Sequence, residues 1–258
     1  MCLHAKLRSG KAHTATNSLS FLEETLRRLS KGVNLKFMRF DKGFAGEVFY
    51  QYLEKKNIRY TEKLKKMNPI RKILRNLTWC RVVQEDGWII EEAAFYYRAS
   101  TWEKPRRVIA IRKTEADPWE ENQMCLPELE WKEEVIVTNL AWQPYDIWCF
   151  YNQRACMENY IKEAKHGFSI DHIPTQDFDA NEADLFLKLI DYKLFELFKQ
   201  QICDPLHKSY TITRFRREFI TIPGRFRKKS RTLTLQLPSH CLHQESRQNM
   251  YQCIFQLE

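Results

Sequence analysis

Three runs rich in β-branched and aromatic residues, Trp88–Tyr97, Arg107–Arg112 and Glu134–Leu140, lie between stretches of helical spacing. Turn residues or clustered charges separate them, so they read as antiparallel strands. Upstream, Phe21–Leu29 has helical spacing and Gly32 is a stop. Val33–Phe40 reads as a strand running into Asp41, Glu47–Lys56 as a short helix and Ile58–Lys63 as a second strand. Downstream, helix resumes after Pro144 and carries the Tyr151–Lys165 segment. Asp179 can cap a long helix whose apolar positions, Ala183, Phe186, Leu187, Ile190, Leu194 and Leu197, recur close to the 3.6 period and are expected to be core. After Pro205 the pattern predicts a basic helix and then a strand, Thr232–Leu237. No internal repeat or low-complexity segment interrupts it.

Charge divides the chain in the same way. Residues 1–75 hold 18 Lys or Arg against 6 Asp or Glu, residues 84–134 hold 7 against 13, and residues 205–231 hold 9 against one, Glu218. All seven tryptophans fall between Trp79 and Trp148. The net charge of +9 favours a polyanionic partner, nucleic acid first among them. With 43% apolar and 13% aromatic residues over 258 positions, the chain can bury a real core. None of the eight cysteines pair as C-x2-C, and His240, Cys241 and His243 make only a weak metal signal. No apolar run approaches the ~18 residues of a membrane helix, so the cysteines read as reduced thiols and the expected location is cytoplasmic, with no membrane partner.

The chemistry concentrates on Tyr151–Lys165. On a continuous helix with Tyr151 at zero, Arg154, Glu158 and Lys165 fall at about 300°, 340° and 320°. A carboxylate between cations can ligate a hard divalent ion, while the guanidinium and ammonium hold phosphates and the phenol stacks or hydrogen-bonds. The plain alternative is a solvated helix with an Arg154–Glu158 pair, and by spacing alone it is the commoner case. Asp41, followed by Lys42 and Gly43, is by itself a turn aspartate.

The spacing Tyr151-x2-Arg154-x3-Glu158-x6-Lys165 resembles the Y-x2-R-x3-E-x6-K signature of the DDE transposases of bacterial insertion sequences. Gly167-Phe168 after it and Ala180-Asn181 further on resemble the same subgroup. Arg39-Phe40-Asp41-Lys42-Gly43-Phe44 is similar to the segment carrying the family's second catalytic Asp. Leu7-Arg8-Ser9-Gly10, Thr138-Asn139-Leu140 and Thr213-Arg214 extend the likeness from about residue 7 to about residue 235.

The resemblance implies an α/β, ribonuclease-H-like mixed sheet flanked by helices, here N-terminally truncated and with a β-rich insertion. It divides the chain into core residues 1–78, insertion 79–136, core residues 137–205 with the final Glu, and a basic segment 206–258. It implies cut-and-paste transposition of an insertion sequence, with metal-dependent DNA strand cleavage and transfer through a two-ion Mg2+ site. Asp41 and Glu158 would be catalytic metal ligands. Tyr151, Arg154 and Lys165 would grip the transposon end, and Arg214, Arg216, Arg217, Arg227 and Lys228, with neighbouring Arg225, Lys229 and Arg231, would track a phosphate backbone. Transposon ends and target DNA are the implied partners, and a homodimer the implied assembly. One departure matters: no Asp precedes Asp41, so the family's first catalytic Asp has no counterpart. The chain is therefore expected to be an inactive copy with an exposed sheet edge and poor solubility. A non-catalytic DNA-binding remnant and an unrelated basic nucleic-acid-binding protein are the alternatives.

Overall fold

A computed structural model describes residues 3–12, 16–44, 46–85, 88–115, 131–238 and 242–256. His240 and Cys241 lie outside the described residues. The chain divides into two compact units, Ser9–Ala155 and Cys156–Glu258, the latter joined by the N-terminal residues up to Arg8.

The first unit contains α1 (Ser18–Arg28), β1 (Phe37–Phe40), α2 (Glu47–Lys55), β2 (Arg59–Lys63), α3 (Asn68–Arg75), β3 (Cys80–Glu85), β4 (Trp88–Tyr97), β5 (Arg106–Glu115), β6 (Lys132–Thr138) and α4 (Pro144–Asn152). The strands form one six-stranded mixed sheet in the order β1-β2-β6-β5-β4-β3. Only β1 and β2 are parallel, with Phe40 opposite Glu62. Alternation splits the central strands between two apolar layers. Val108, Ala110, Val135 and Val137 face a core shared with Leu22, Phe49, Tyr50, Leu53, Ile70 and Leu74 of α1, α2 and α3. Ile109, Ile111 and Ile136 face the opposite layer with Ile147 and Tyr151 of α4. Burial on both faces explains why these runs are almost continuously apolar. Each fully buried aliphatic side chain contributes about 1.5–3 kcal/mol.

The tryptophans mostly line this sheet rather than fill it. Arg112 lies between the rings of Trp79 and Trp131, at 4.5 and 4.4 Å from their centroids. Lys113 lies 5.1 Å from that of Trp88. Trp102 is the buried exception.

The second unit contains α5 (Ala155–Phe168), α6 (Phe178–Ile202), a 3-10 turn (Pro205–His207) and α7 (Ile212–Phe215), which widens into a π-type turn (Arg216–Ile220). The hairpin β7 (Arg225–Lys229) and β8 (Thr232–Gln236) follows, and then α8 (Gln244–Phe255). Its core joins Phe195, Ile202, Tyr210, Ile212, Phe215, Phe219 and Met250. Phe168 packs on Tyr192 with ring centroids 5.1 Å apart. The preceding Gly167 lets Ile212 approach α5 closely, because a Cβ there would lie 2.2 Å from Ile212 Cγ2.

Four expectations need correction. The Tyr151–Lys165 helix is not continuous: α4 ends at Asn152, and Gln153 and Arg154 form a turn before α5. The Arg154 amide donates to the Tyr151 carbonyl at 2.9 Å, an i to i−3 bond that tightens and ends the helix. The cap of α6 is Asp177, whose Oδ1 accepts from the Ala180 amide at 2.7 Å, rather than Asp179. The stripe Ala183, Phe186, Leu187, Ile190, Leu194 and Leu197 is exposed, while Tyr192, Phe195, Lys199 and Ile202 on the opposite side are buried. This helix carries apolar residues on two faces, and periodicity selected the wrong one. After Pro205 the expected basic helix is present over residues 212–220, but Arg225–Lys229 is a strand and not helix; it pairs with Thr232–Gln236, which agrees with the expected strand.

Candidate functional site

Asp41 follows β1 directly. Its Oδ1 accepts from the Lys42 amide at 2.8 Å, which folds the carboxylate back over a tight turn. Gly43 takes φ +92°, a conformation glycine adopts without steric cost. The Gly43 amide donates to Oε1 of Glu62 at 3.3 Å. Glu62 is buried, and its other oxygen accepts from the buried Tyr50 hydroxyl. Burial first, and then the Glu62 charge, push the Tyr50 phenol far above its ordinary range. A buried carboxylate thus fixes the turn that presents Asp41. Composition gave no hint of Glu62, because an isolated Glu in a short strand reads as solvent-facing. The parallel register that sets it beside the turn is a tertiary fact.

The C-terminal end of α4 meets this turn. Arg39 donates to the Phe150 carbonyl at 2.5 Å and lies 4.7 Å from the Phe150 ring centroid. That carbonyl is one a helix end leaves without an intrahelical partner. Arg154 Nη2 is 3.6 Å from Asp41 Oδ2, with both side chains partly exposed. The Arg154 guanidinium also lies 5.8 Å from the Tyr151 ring centroid. Tyr151 is buried, and among the described residues its hydroxyl has no hydrogen-bond partner. Burial is the main reason its phenol titrates above the usual value. Asp41 and the pair Tyr151 and Arg154, far from it in sequence, therefore converge at the end of β1.

Thr138-Asn139-Leu140 supports the neighbouring strand. The Thr138 hydroxyl donates to the Tyr60 carbonyl at 2.7 Å, and Asn139 Oδ1 accepts from the Tyr60 amide at 2.8 Å. Below them Arg106 donates to Glu47 at 2.6 Å and to Glu54 at 2.8 Å. These bonds tie α2, which carries Tyr50, to β5.

In the second unit Glu158 and Lys165 project, exposed, from α5. Seven residues apart, they share one helix face at a spacing of about 10 Å. Asn181 closes the loop before α6, with its amide donating to the Thr175 carbonyl at 2.9 Å. Arg214 is committed within the fold: it donates to Glu218 at 2.9 Å and stacks 3.8 Å from the Tyr210 ring centroid. Arg217 also donates to Glu218. Arg216 donates to the Gly167 carbonyl at 3.4 Å. Arg227 and Lys228 project from the exposed hairpin.

Among the described residues no three His, Cys, Asp or Glu side chains cluster to hold a metal ion. Asp41 offers hard oxygen ligands, but the cation beside it is Arg154. The described donors of themselves fall short of the ligand set a divalent ion requires. No described helix is long and apolar enough to cross a membrane.

The family model described as Transposase DDE domain group 1 matches residues 1–258. The chain belongs to that family. No curated protein matches it. Membership gives the exposed strand-end carboxylate a context, since DDE transposases act on DNA through acidic residues and divalent metal. The mixed sheet with helices on both faces is compatible with their ribonuclease-H-like architecture.

Proposed function

We propose that this chain is a transposase of an insertion sequence, of the Y-x2-R-x3-E-x6-K subgroup, and that Asp41 and Glu158 are its ligands for the Mg2+ that the family uses in DNA strand cleavage and transfer. The observation that carries the reading is the convergence of Asp41, Arg154 and Tyr151 at the end of β1, where residues of two separate signature segments meet. When bound, the metal supplies Lewis acidity and an activated hydroxyl. The chain's own residues do the rest. Glu62 and Gly43 hold the turn that presents Asp41, and Arg39 holds the end of α4 against β1. Arg154 screens the Asp41 charge and is the donor placed to take a phosphate oxygen of the transposon end. Lys165 supplies a further point charge on the face of α5 that bears Glu158. Arg216, Arg227 and Lys228 bind DNA, with Arg214 and Arg217 held nearer to Glu218. Residues 79–136 correspond to the family's β-rich insertion, and the enzyme works as a homodimer on paired ends.

No Asp precedes Asp41 among these 258 residues, so they offer two of the family's three acidic ligands. We propose that these residues by themselves bind DNA without cleaving it. Nicking of supercoiled DNA in Mn2+ tests this, with Asp41→Asn and Glu158→Gln as controls. The expected result is DNA binding with no nicking above either control. Wild-type nicking that both substitutions abolish would refute the inactive assignment. Absence of DNA binding would refute the transposase function of the chain.

A further inference from the structure

The β7–β8 hairpin has two unlike faces. Of the twelve residues from Arg225 to Gln236, five are Arg or Lys and none is Asp or Glu. The register pairs Arg225 with Gln236, Arg227 with Thr234 and Lys229 with Thr232. Side chains alternate along a strand, so these six share one face, wholly cationic and hydroxylic or amidic. Phe226, Leu235, Lys228 and Leu233 share the other. Every residue of both strands is exposed. None of the five cations has an ion-pair partner among the described residues, in contrast to Arg214 and Arg217 on Glu218. Ser230 at φ 55° turns the chain sharply and places Arg231 at the tip.

We infer that this hairpin is a DNA-reading ribbon whose Arg225–Arg227–Lys229 face enters the major groove of duplex DNA, with Arg231 on a flanking phosphate. The inference rests on the transposase reading for its choice of DNA as partner. Five residues per strand span about 17 Å, and the major groove, about 12 Å wide, admits a two-stranded ribbon. Cations two residues apart recur about 7 Å apart on one side of the ribbon. Arg and Lys donate to guanine O6 and N7 there, while Thr232, Thr234 and Gln236 add groups that both donate and accept. A solvated surface ribbon would be expected to mix charge signs or to pair its cations, and this one does neither.

The test uses the full chain and a fluorescent 30-bp duplex, with affinity measured by anisotropy from 50 to 200 mM KCl. Arg231→Ser, which removes the flanking phosphate contact, is expected to flatten the slope of log K against log salt by about 0.9. A duplex methylated at guanine N7 should bind the wild type several-fold more weakly. Substituting Arg225, Arg227 and Lys229 together by Ser should erase that difference, and Arg227→Ser alone, which covers the case of a misfolded triple variant, should reduce it. If the wild type binds DNA but Arg231→Ser keeps its slope and the other Ser variants keep the difference, the ribbon is refuted and the transposase reading stands. Equal affinity for plain and methylated duplex overturns groove entry. A wild type that binds no duplex overturns both readings.

Discussion

Replacing Arg106 by Leu removes the cation that the Glu47 and Glu54 carboxylates share. The Arg106 side chain is 3% exposed, against 15% for Glu47 and 19% for Glu54. Its guanidinium donates at 2.6 and 3.0 Å to Glu47 and at 2.8 Å to Glu54. It also lies 4.8 Å from the Tyr50 ring centroid. Removing one partner of a buried, hydrogen-bonded ion pair costs about 3–5 kcal/mol, because the remaining charges stay buried. Lys104 still reaches Glu54 at 2.9 Å, so the expected loss at pH 7 is near the lower bound, about 3 kcal/mol. The pH dependence has a definite sign. The Arg106 bond holds the Glu47 carboxyl below its ordinary 4.5. Glu54 is pushed up by burial but held below 4.5 on balance by Arg106 and Lys104. Stability from such groups is present above 4.5 and lost as pH falls through their lower folded values. In Arg106→Leu that contribution is gone, so the deficit should be largest near pH 7 and shrink below about pH 4.5. Urea unfolding followed by tryptophan emission measures it, because the six described tryptophans all belong to the first unit. A loss under about 1 kcal/mol, or one equal at pH 7 and pH 4, would refute the reasoning.

Three further outcomes follow from the second unit. Gly167→Ala should destabilise by about 1–2 kcal/mol in a circular-dichroism melt, since crowding against Ile212 outweighs the gain in helix propensity. Leu187→Glu with Leu194→Glu should change stability by no more than about 0.5 kcal/mol per site, because both side chains are exposed, at 63% and 57%; a loss of core size would show that this face is covered. Burial first, and then His243, hold the His207 imidazole below its ordinary 6.5. The unfolded chain then binds the proton first, so this unit should lose stability as pH drops below 6.5, and His207→Phe should abolish that loss as read by amide hydrogen exchange.

The sheet was legible where burial on both faces wrote itself into apolar runs, as in β4, β5 and β6. Strand β3, opening at Cys80 with polar Arg81 and Gln84, carries no such run, and α3 is too short for periodicity to show. Tyr151 and Arg154 were readable as signature residues but not as parts of different elements. The end of α4 depends on a backbone bond and on Arg39, 115 positions before Arg154. Glu62 was invisible for the same reason, since only the pairing of β1 with β2 sets it beside Gly43. The α6 stripe shows the opposite failure, a strong period on a face that the described fold leaves exposed.

Paramagnetic broadening by Mn2+, in amide spectra of the full chain bound to duplex DNA, reports metal binding at each proposed ligand. The expected result is selective broadening of the Lys42 and Gly43 amides, lost in Asp41→Asn, and of those flanking Glu158, lost in Glu158→Gln. Broadening that spares residues 42 and 43, or that persists unchanged in Asp41→Asn, would contradict it.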